Sequence, residues 1–324
     1  MTGNETIYIL CPPNHMTGGP EALHQLCARL TKIGRSARMV YTNGSDHSLM
    51  PSPDGETTMV FREYENAVHP QYRAYATESS DYIIDNENAI VVFPEIWPHL
   101  IPLFKKATKA YWWLSFDYGM RHLMPVGGVP FLLENDCKML SQSSYATAQL
   151  SMLGFGDVLR ISDFTTLANN VAPQPIQQRR DLVLFNNKAE AFGRQLATMS
   201  PQYEFKILSN MSPTEVHQNM AQAKLYVDFG PHAGKDRMPR EAALLGCCVI
   251  TGRNGSANNF EDLPIPAKYK FGNHPQRMHE ISRAIDDVIQ NFPERFEDFG
   301  VYRRSIAVEE TKFELEVFSV FGQV

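Results

Sequence analysis

The sequence predicts an α/β protein made of two parallel-sheet domains facing each other across a cleft. Three observations carry this. Short apolar runs alternate with amphipathic helical patterns, the signature of βαβ units. The alternation halts at ISDFTTLANNVAPQPIQQRR, a polar stretch with two prolines and no sustained period, and then restarts. The length of 324 residues suits two domains better than one. The expected domains are 1–165 and 166–307, followed by a last helix over 308–324.

The elements follow in order. TIYILCP reads as a strand, PNHMTGG as its loop and PEALHQLCARLTKIG as an amphipathic helix, with Pro20 in its first turn and Gly34 at its exit. Thr17 is the expected cap. ARMVYTN, AIVVFPE and AYWWLSFD read as strands, the last two ending in the carboxylates Glu95 and Asp117. CKMLSQSSYATAQLSMLGFG holds a strand edge and a helix. Beyond the polar stretch, DLVLFNN, YEFKILS, KLYVDFG and CCVITG are strands. KAEAFGRQLATMS, SPTEVHQNMAQA, MPREAALLG and HPQRMHEISRAIDDVIQNF are helices, and EETKFELEVFSVFG closes the chain. Ser212 and Glu215 have capping-box spacing, and Pro239 is expected at the start of MPREAALLG.

Composition excludes several classes. The net charge of −6 provides no global basic field, so nucleic acid is not an expected partner. Five cysteines with no C-x-x-C pair argue against a disulfide framework and a zinc knuckle. MTGNETIYIL lacks the pattern of a signal peptide, and AIVVFPEIWPHLIPLF is too broken by prolines to span a bilayer. A cytoplasmic protein is expected. Trp97, Trp112 and Trp113 fall in one region, which raises peripheral contact with the inner face of a membrane against the plainer reading of core or pocket aromatics.

In parallel sheets ligands bind beyond the carboxyl ends of strands, so the loops there carry the candidate chemistry. In PNHMTGGPEALHQL, Gly18 and Gly19 let backbone amides approach an anion at a helix start, with His15 beside them. The G-x-G-x-x-G and P-loop spacings are both missing. In DFGPHAGKDRMPREAALLG, the groups His232, Lys235, Asp236, Arg237, Arg240 and Glu241 crowd the entry to a helix. A helix N-terminus repels cations, so the cluster makes sense if an anion such as a diphosphate fills it. Glu241 reads either as a first-turn carboxylate or as an acceptor for a ribose diol. Gly255 and Ser256 sit in a second small-residue loop after the next strand. Lys188 stands at a strand-to-helix junction, where a solvated lysine is the plain alternative. Glu95 and Asp117 could orient or deprotonate a hydroxyl, or act as caps and ion pairs. The two D-F-G tripeptides lack the rest of a kinase signature. Asp85, Asn86 and Glu87 make a poor D-x-D motif, so no metal or other cofactor is expected.

GGPEALHQL, FNNKAEAF and the stretch from YVDFGPHAGKDRMPREAALLGCCVITG to NGSANNFED resemble segments of GT-B glycosyltransferases, above all family 4 enzymes of bacterial capsule and O-antigen synthesis. The likeness is sharpest over 226–262. It implies two Rossmann-like domains, a nucleotide-sugar donor on the second, a glycan or lipid-linked glycan acceptor on the first, a final helix (308–324) packed back on the first, and no obligatory metal. It places Glu241 on the donor ribose, Lys188 on the diphosphate, and Gly18 and Gly19 near the phosphates. One departure stands out: the family's second glutamate falls at Ala233, with His232 and Asp236 as substitutes. The stereochemical outcome stays open. So do two rival readings, a sugar-nucleotide epimerase or phosphorylase and a non-catalytic sugar-nucleotide-binding subunit.

Overall fold

A computed structural model describes residues 5–51 and 56–322. The first four residues of MTGNETIYIL and the last two of the 308–324 segment lie outside them. The chain divides into two compact units, one from 1–163 with 311–324, the other from 164–310.

The first unit is built on a six-stranded parallel sheet. Its elements run β1 (Thr6–Cys11), α1 (Gly18–Lys32), β2 (Ser36–Tyr41), β3 (His47–Pro51), β4 (Thr57–Phe61), β5 (Tyr82–Asp85), β6 (Ala89–Pro94), β7 (Thr108–Trp113), α2 (Phe116–Leu123), α3 (Gly128–Glu134), β8 (Cys137–Ser141), α4 (Ser144–Met152) and β9 (Val158–Arg160). The sheet order is β2-β1-β6-β7-β8-β9. Its central strands are buried on both faces, which explains why β6 and β7 read as unbroken apolar runs. A small antiparallel sheet, β3-β4-β5, is an addition that strand–helix alternation did not predict. Asp85 ends it and turns its carboxylate onto the backbone N–H groups of Lys105, Lys106 and Ala107 at 2.8, 3.0 and 2.8 Å.

The second unit carries β10 (Arg180–Asn186), α5 (Glu190–Met199), β11 (Glu204–Leu208), α6 (Pro213–Gln222), β12 (Ala223–Asp228), α7 (Arg237–Leu244), β13 (Cys248–Thr251), α8 (Met278–Gln290), α9 (Phe292–Glu297) and α10 (Gly300–Ala307). Its parallel sheet has the order β11-β10-β12-β13. The Ser212–Glu215 capping box forms in full. The stretch after 163 is less of a free connection than its composition suggests. Leu167, Val171 and Ile176 pack on the core, and buried Arg179 donates to the carbonyls of Gln174, Ala223 and Leu245.

The last helix, α11 (Glu309–Phe321), starts in the second unit and continues in the first. Within the first unit its Glu316 accepts from Ser162 N at 2.7 Å, Glu314 pairs with Arg29, and the Phe321 carbonyl accepts from Arg35 at 2.8 Å.

Two local expectations are corrected. Thr17 occupies the N-cap of α1, but its side chain makes no capping bond. Trp97, Trp112 and Trp113 are all buried, because they line the interior of β6, β7 and their loop, so none is a surface anchor for a membrane. Among the described residues no helix is long and apolar enough to cross a bilayer.

Candidate functional site

The first unit has a cavity of about 590 Å³ at the carboxyl ends of β1, β6 and β7. Pro12, Pro13, His15, Thr17 and Gly19 come from the β1–α1 loop, and Glu95, Ile96 and Trp97 from the end of β6. Leu114, Tyr118 and His122 follow β7. The strand ends thus bring together His15, Gly19 and Glu95; Gly18 begins α1 beside them. His15 is exposed.

Glu95 is only 5% exposed, and its Oε2 has no hydrogen-bond partner. Helix α2 crosses close over it: a Cβ at Gly119 would lie 2.8 Å from the Glu95 Cβ and 2.9 Å from the Trp113 ring. Burial pushes the Glu95 carboxyl up to about 8, against the pull of backbone N–H groups of Leu114 and Ser115.

Asp117 is not a strand-end group. β7 stops at Trp113, and Asp117 falls in the first turn of α2, where a carboxylate complements the helix dipole. Its Oδ1 accepts from Tyr145 OH at 2.7 Å. It does not line the cavity.

The second unit assembles its candidates differently. Asp228, at the end of β12, is 1% exposed and accepts from Asn186 Nδ2, Tyr226 OH and Gly230 N at 2.8, 2.8 and 3.0 Å. His232 stands between two carboxylates, with Nε2 3.4 Å from Asp228 and Nδ1 3.3 Å from Asp236. Burial alone would lower its pKa, but the two carboxylates outweigh that and hold it above the ordinary value. Asp228 is held below its ordinary value: burial works against ionisation, and His232 and the hydrogen bonds overcome it. Lys188 Nζ completes the row, 3.0 Å from Asp236. Asp228, His232 and Asp236 each offer a ligand atom within 4.8 Å of the others and are the set that could hold a cation. The Lys188 ammonium already places a positive charge against Asp236.

The loop after β13 is stitched to this row. Ser256 N donates to the His232 carbonyl at 2.9 Å, and Ser256 Oγ to the Gly234 carbonyl at 2.6 Å. Gly255 has φ +50, and a Cβ there would come 2.1 Å from the His232 oxygen. His232 itself adopts φ 47, which is unusual for a non-glycine residue.

The cations at the entry to α7 have found an anion inside the protein. Arg240 is fully buried; its Nη1 lies 2.9 Å from Glu309, and it donates to the carbonyls of Lys235 and Asp236. Lys235 Nζ lies 2.7 Å from the other Glu309 oxygen. Glu309 is accordingly held below its ordinary value: burial raises it, and Arg240 and Lys235 more than compensate. Arg237 reaches Thr166 at 3.1 Å and Glu241 at 3.6 Å. Glu241 also faces His217 at 3.5 Å. The helix starts at Arg237 rather than at Pro239, so Glu241 lies beyond the first turn and is no first-turn carboxylate.

The expected anion site is therefore only partly open. Lys188 keeps 47% of its side chain exposed, against 15% for Arg237, 12% for Lys235 and 1% for Arg240. Sequence reasoning missed Glu309, which sits 69 positions from Arg240 with no local signal. It also missed Tyr118 and His122 as cavity residues, whereas Trp97 is the pocket aromatic that one reading allowed. The place of Tyr118 and His122 after strand β7 was the available clue.

No protein-family model and no curated protein matches this chain significantly. Solved structures do. TarM aligns with a TM-score of 0.57 at 10% identity, over 98% of this chain and 99% of its own. The sucrose-phosphate synthase of Thermosynechococcus elongatus aligns with a TM-score of 0.60 at 13% identity, over 98% and 100%. The pneumococcal O-GlcNAc transferase GtfA, solved with UDP and GlcNAc, aligns with a TM-score of 0.60 at 9% identity, over 98% of both chains. At these identities the likeness establishes the fold: two Rossmann-like units of the GT-B glycosyltransferase type.

Proposed function

We propose that this chain is a glycosyltransferase that moves a sugar from a nucleotide-sugar donor to a hydroxyl of a glycan or lipid-linked glycan in surface polysaccharide synthesis. The observation that carries the reading is likeness to glycosyltransferases along the whole chain, among them a structure holding UDP and GlcNAc.

In this reading the second unit holds the donor. Departure of a nucleoside diphosphate builds negative charge, and Lys188 is the exposed cation at a strand end that would meet it. A donor aimed at such charge is often worth ~3–4 kcal/mol in the transition state. Arg237 and Glu241 flank the site, with Glu241 toward the ribose. Arg240 and Lys235 act through Glu309 as the frame beneath it. His232, Asp236, Gly255 and Ser256 fix the loops.

The first unit takes the acceptor. Glu95 is the general base we assign, because a carboxyl titrating near 8 is matched to proton removal at neutral to mildly alkaline pH. His15 and Gly19 border the same cavity with Gly18 next in sequence, and Asp117 ties α2 to α4 through Tyr145. We further propose that transfer needs no metal, since the Lys188 ammonium already lies against Asp236 in the group that could hold one. Chelator should then leave the rate unchanged.

The test is release of nucleoside diphosphate from a panel of nucleotide sugars, with and without glycan acceptors. Acceptor-dependent release is expected, and Lys188→Ala should lower it about a hundredfold or more. Donor binding with no release from any nucleotide sugar would favour the binding-subunit reading, to which Ala233 points.

A further inference from the structure

The cavity of the first unit has a composition that selects among ligands. Its walls are largely apolar: Pro12, Pro94, Ile96, Trp97 and Leu114. Its volume of about 590 Å³ lies within the range of ~300–1,000 Å³ usual for small-molecule sites. No lysine or arginine is among its lining residues; the titratable side chains there are Glu95, His15, His122 and Tyr118. The start of α1 could attract an anion, but Glu21 already supplies a carboxylate in that helix's first turn.

Against these walls stands one buried carboxyl with an oxygen left unbonded. Glu95 lines the cavity, is 5% exposed, and leaves Oε2 without a partner. Buried polar atoms are nearly always satisfied, and a lone exception calls for a missing partner. Replacing the carboxyl by an apolar group would remove that demand, yet the sequence keeps it.

The geometry points to an uncharged, polyhydroxylated ligand, a sugar ring without phosphate or carboxylate, seated in this cavity with one hydroxyl on Glu95. The C–H faces of such a ring pack on Trp97 and Leu114, and its hydroxyls meet Glu95, Asn43 and the histidines. A phosphate or carboxylate would instead face a carboxyl with no fixed cation to offset it. This deepens the proposed transfer, on which it rests for calling the ligand an acceptor: it assigns the acceptor end as a neutral sugar.

Saturation-transfer NMR at pH 7 tests this directly, without any donor present. The probes are methyl glycosides of glucose, galactose, mannose and N-acetylglucosamine, set against glucose 6-phosphate and glucuronate. At least one neutral glycoside should bind, about tenfold or more tighter than either anion. Glu95→Leu should weaken that binding about tenfold or more, whereas Glu95→Gln, which keeps a neutral hydrogen-bonding group, should stay within about threefold. Thermal melting of both variants at or above wild type shows that lost binding is not lost folding. Anions binding as well as neutral probes, no neutral glycoside binding, or unchanged binding in Glu95→Leu would each overturn the inference. Neutral-glycoside binding without nucleoside diphosphate release would leave it standing and sink the transferase reading. Acceptor-dependent release with a cavity indifferent to charge would do the reverse.

Discussion

Glu95 in the first unit and Glu309 in the second are buried to nearly the same degree, 5% and 5% exposed, yet their titration is displaced in opposite directions. Burial opposes the charge in both. Around Glu309, two cations and a backbone amide repay that opposition. Around Glu95, no side chain does. Burial therefore does not decide whether an acid is charged; the partners do. The second unit has an ionised framework around its strand ends, and the first has a neutral acid against apolar walls. In our reading this is the division a sugar transfer requires, charge where a diphosphate leaves and, once Glu95 ionises toward pH 8, a proton acceptor where a hydroxyl arrives.

The comparison breaks most visibly if a framework charge is removed. Glu309→Ala leaves Arg240 and Lys235 buried without their counter-ion, and should destabilise the second unit by about 3–5 kcal/mol in urea unfolding. A loss under about 1 kcal/mol would mean the pair is not holding the frame.

The first unit should respond with the opposite sign. The Glu95 pKa is raised in the fold, from 4.5 to about 8. Its contribution to stability is thus fully present below 4.5 and is lost as pH rises toward 8. Over the interval from 4.5 to 7 the linkage amounts to about 3 kcal/mol. Glu95→Gln should be more stable than wild type by up to this amount at pH 7, and the advantage should vanish near pH 4. Parallel denaturant curves at the two pH values check it.

A smaller effect attaches to His232. Its pKa is raised by Asp228 and Asp236, so its stabilisation is present below 6.5 and fades as pH climbs through the folded value. Asn, which tolerates the left-handed backbone there, is the fitting replacement. His232→Asn should lose about 2 kcal/mol at pH 6 and clearly less at pH 9. Equal losses at both would remove the imidazolium from the account.

Smallest of all is the stability effect of Lys188→Ala. The pair with Asp236 is half exposed, so folding should change by less than about 0.5 kcal/mol. Donor affinity, read by calorimetry with a nucleotide sugar, should fall all the same. A stability loss with unchanged affinity would make Lys188 a structural residue.

Much of this was legible in the sequence, and the exceptions have physical causes. The parallel strands announced themselves because strands such as β6 and β12 are buried on both faces and read as continuous apolar runs. The antiparallel sheet did not, since β3 is largely exposed and gives no apolar run of its own. Asp117 was misplaced because the buried residues Leu114 and Phe116 prolong the apolar run past the true end of β7 at Trp113. Glu95 and Lys188 were visible as polar groups directly after strands. The cations before α7 correctly demanded an anion, but sequence proximity could not reveal that a glutamate 69 positions on supplies one.

The most direct measurement follows the glutamate carboxyl carbons by carbon-13 NMR through a pH titration, with Glu95→Gln and Glu309→Gln used to assign the two signals. Glu95 should titrate near 8 while Glu309 stays ionised to below 4.5. A Glu95 signal already fully ionised at pH 6 would contradict the contrast between the two units on which this account stands.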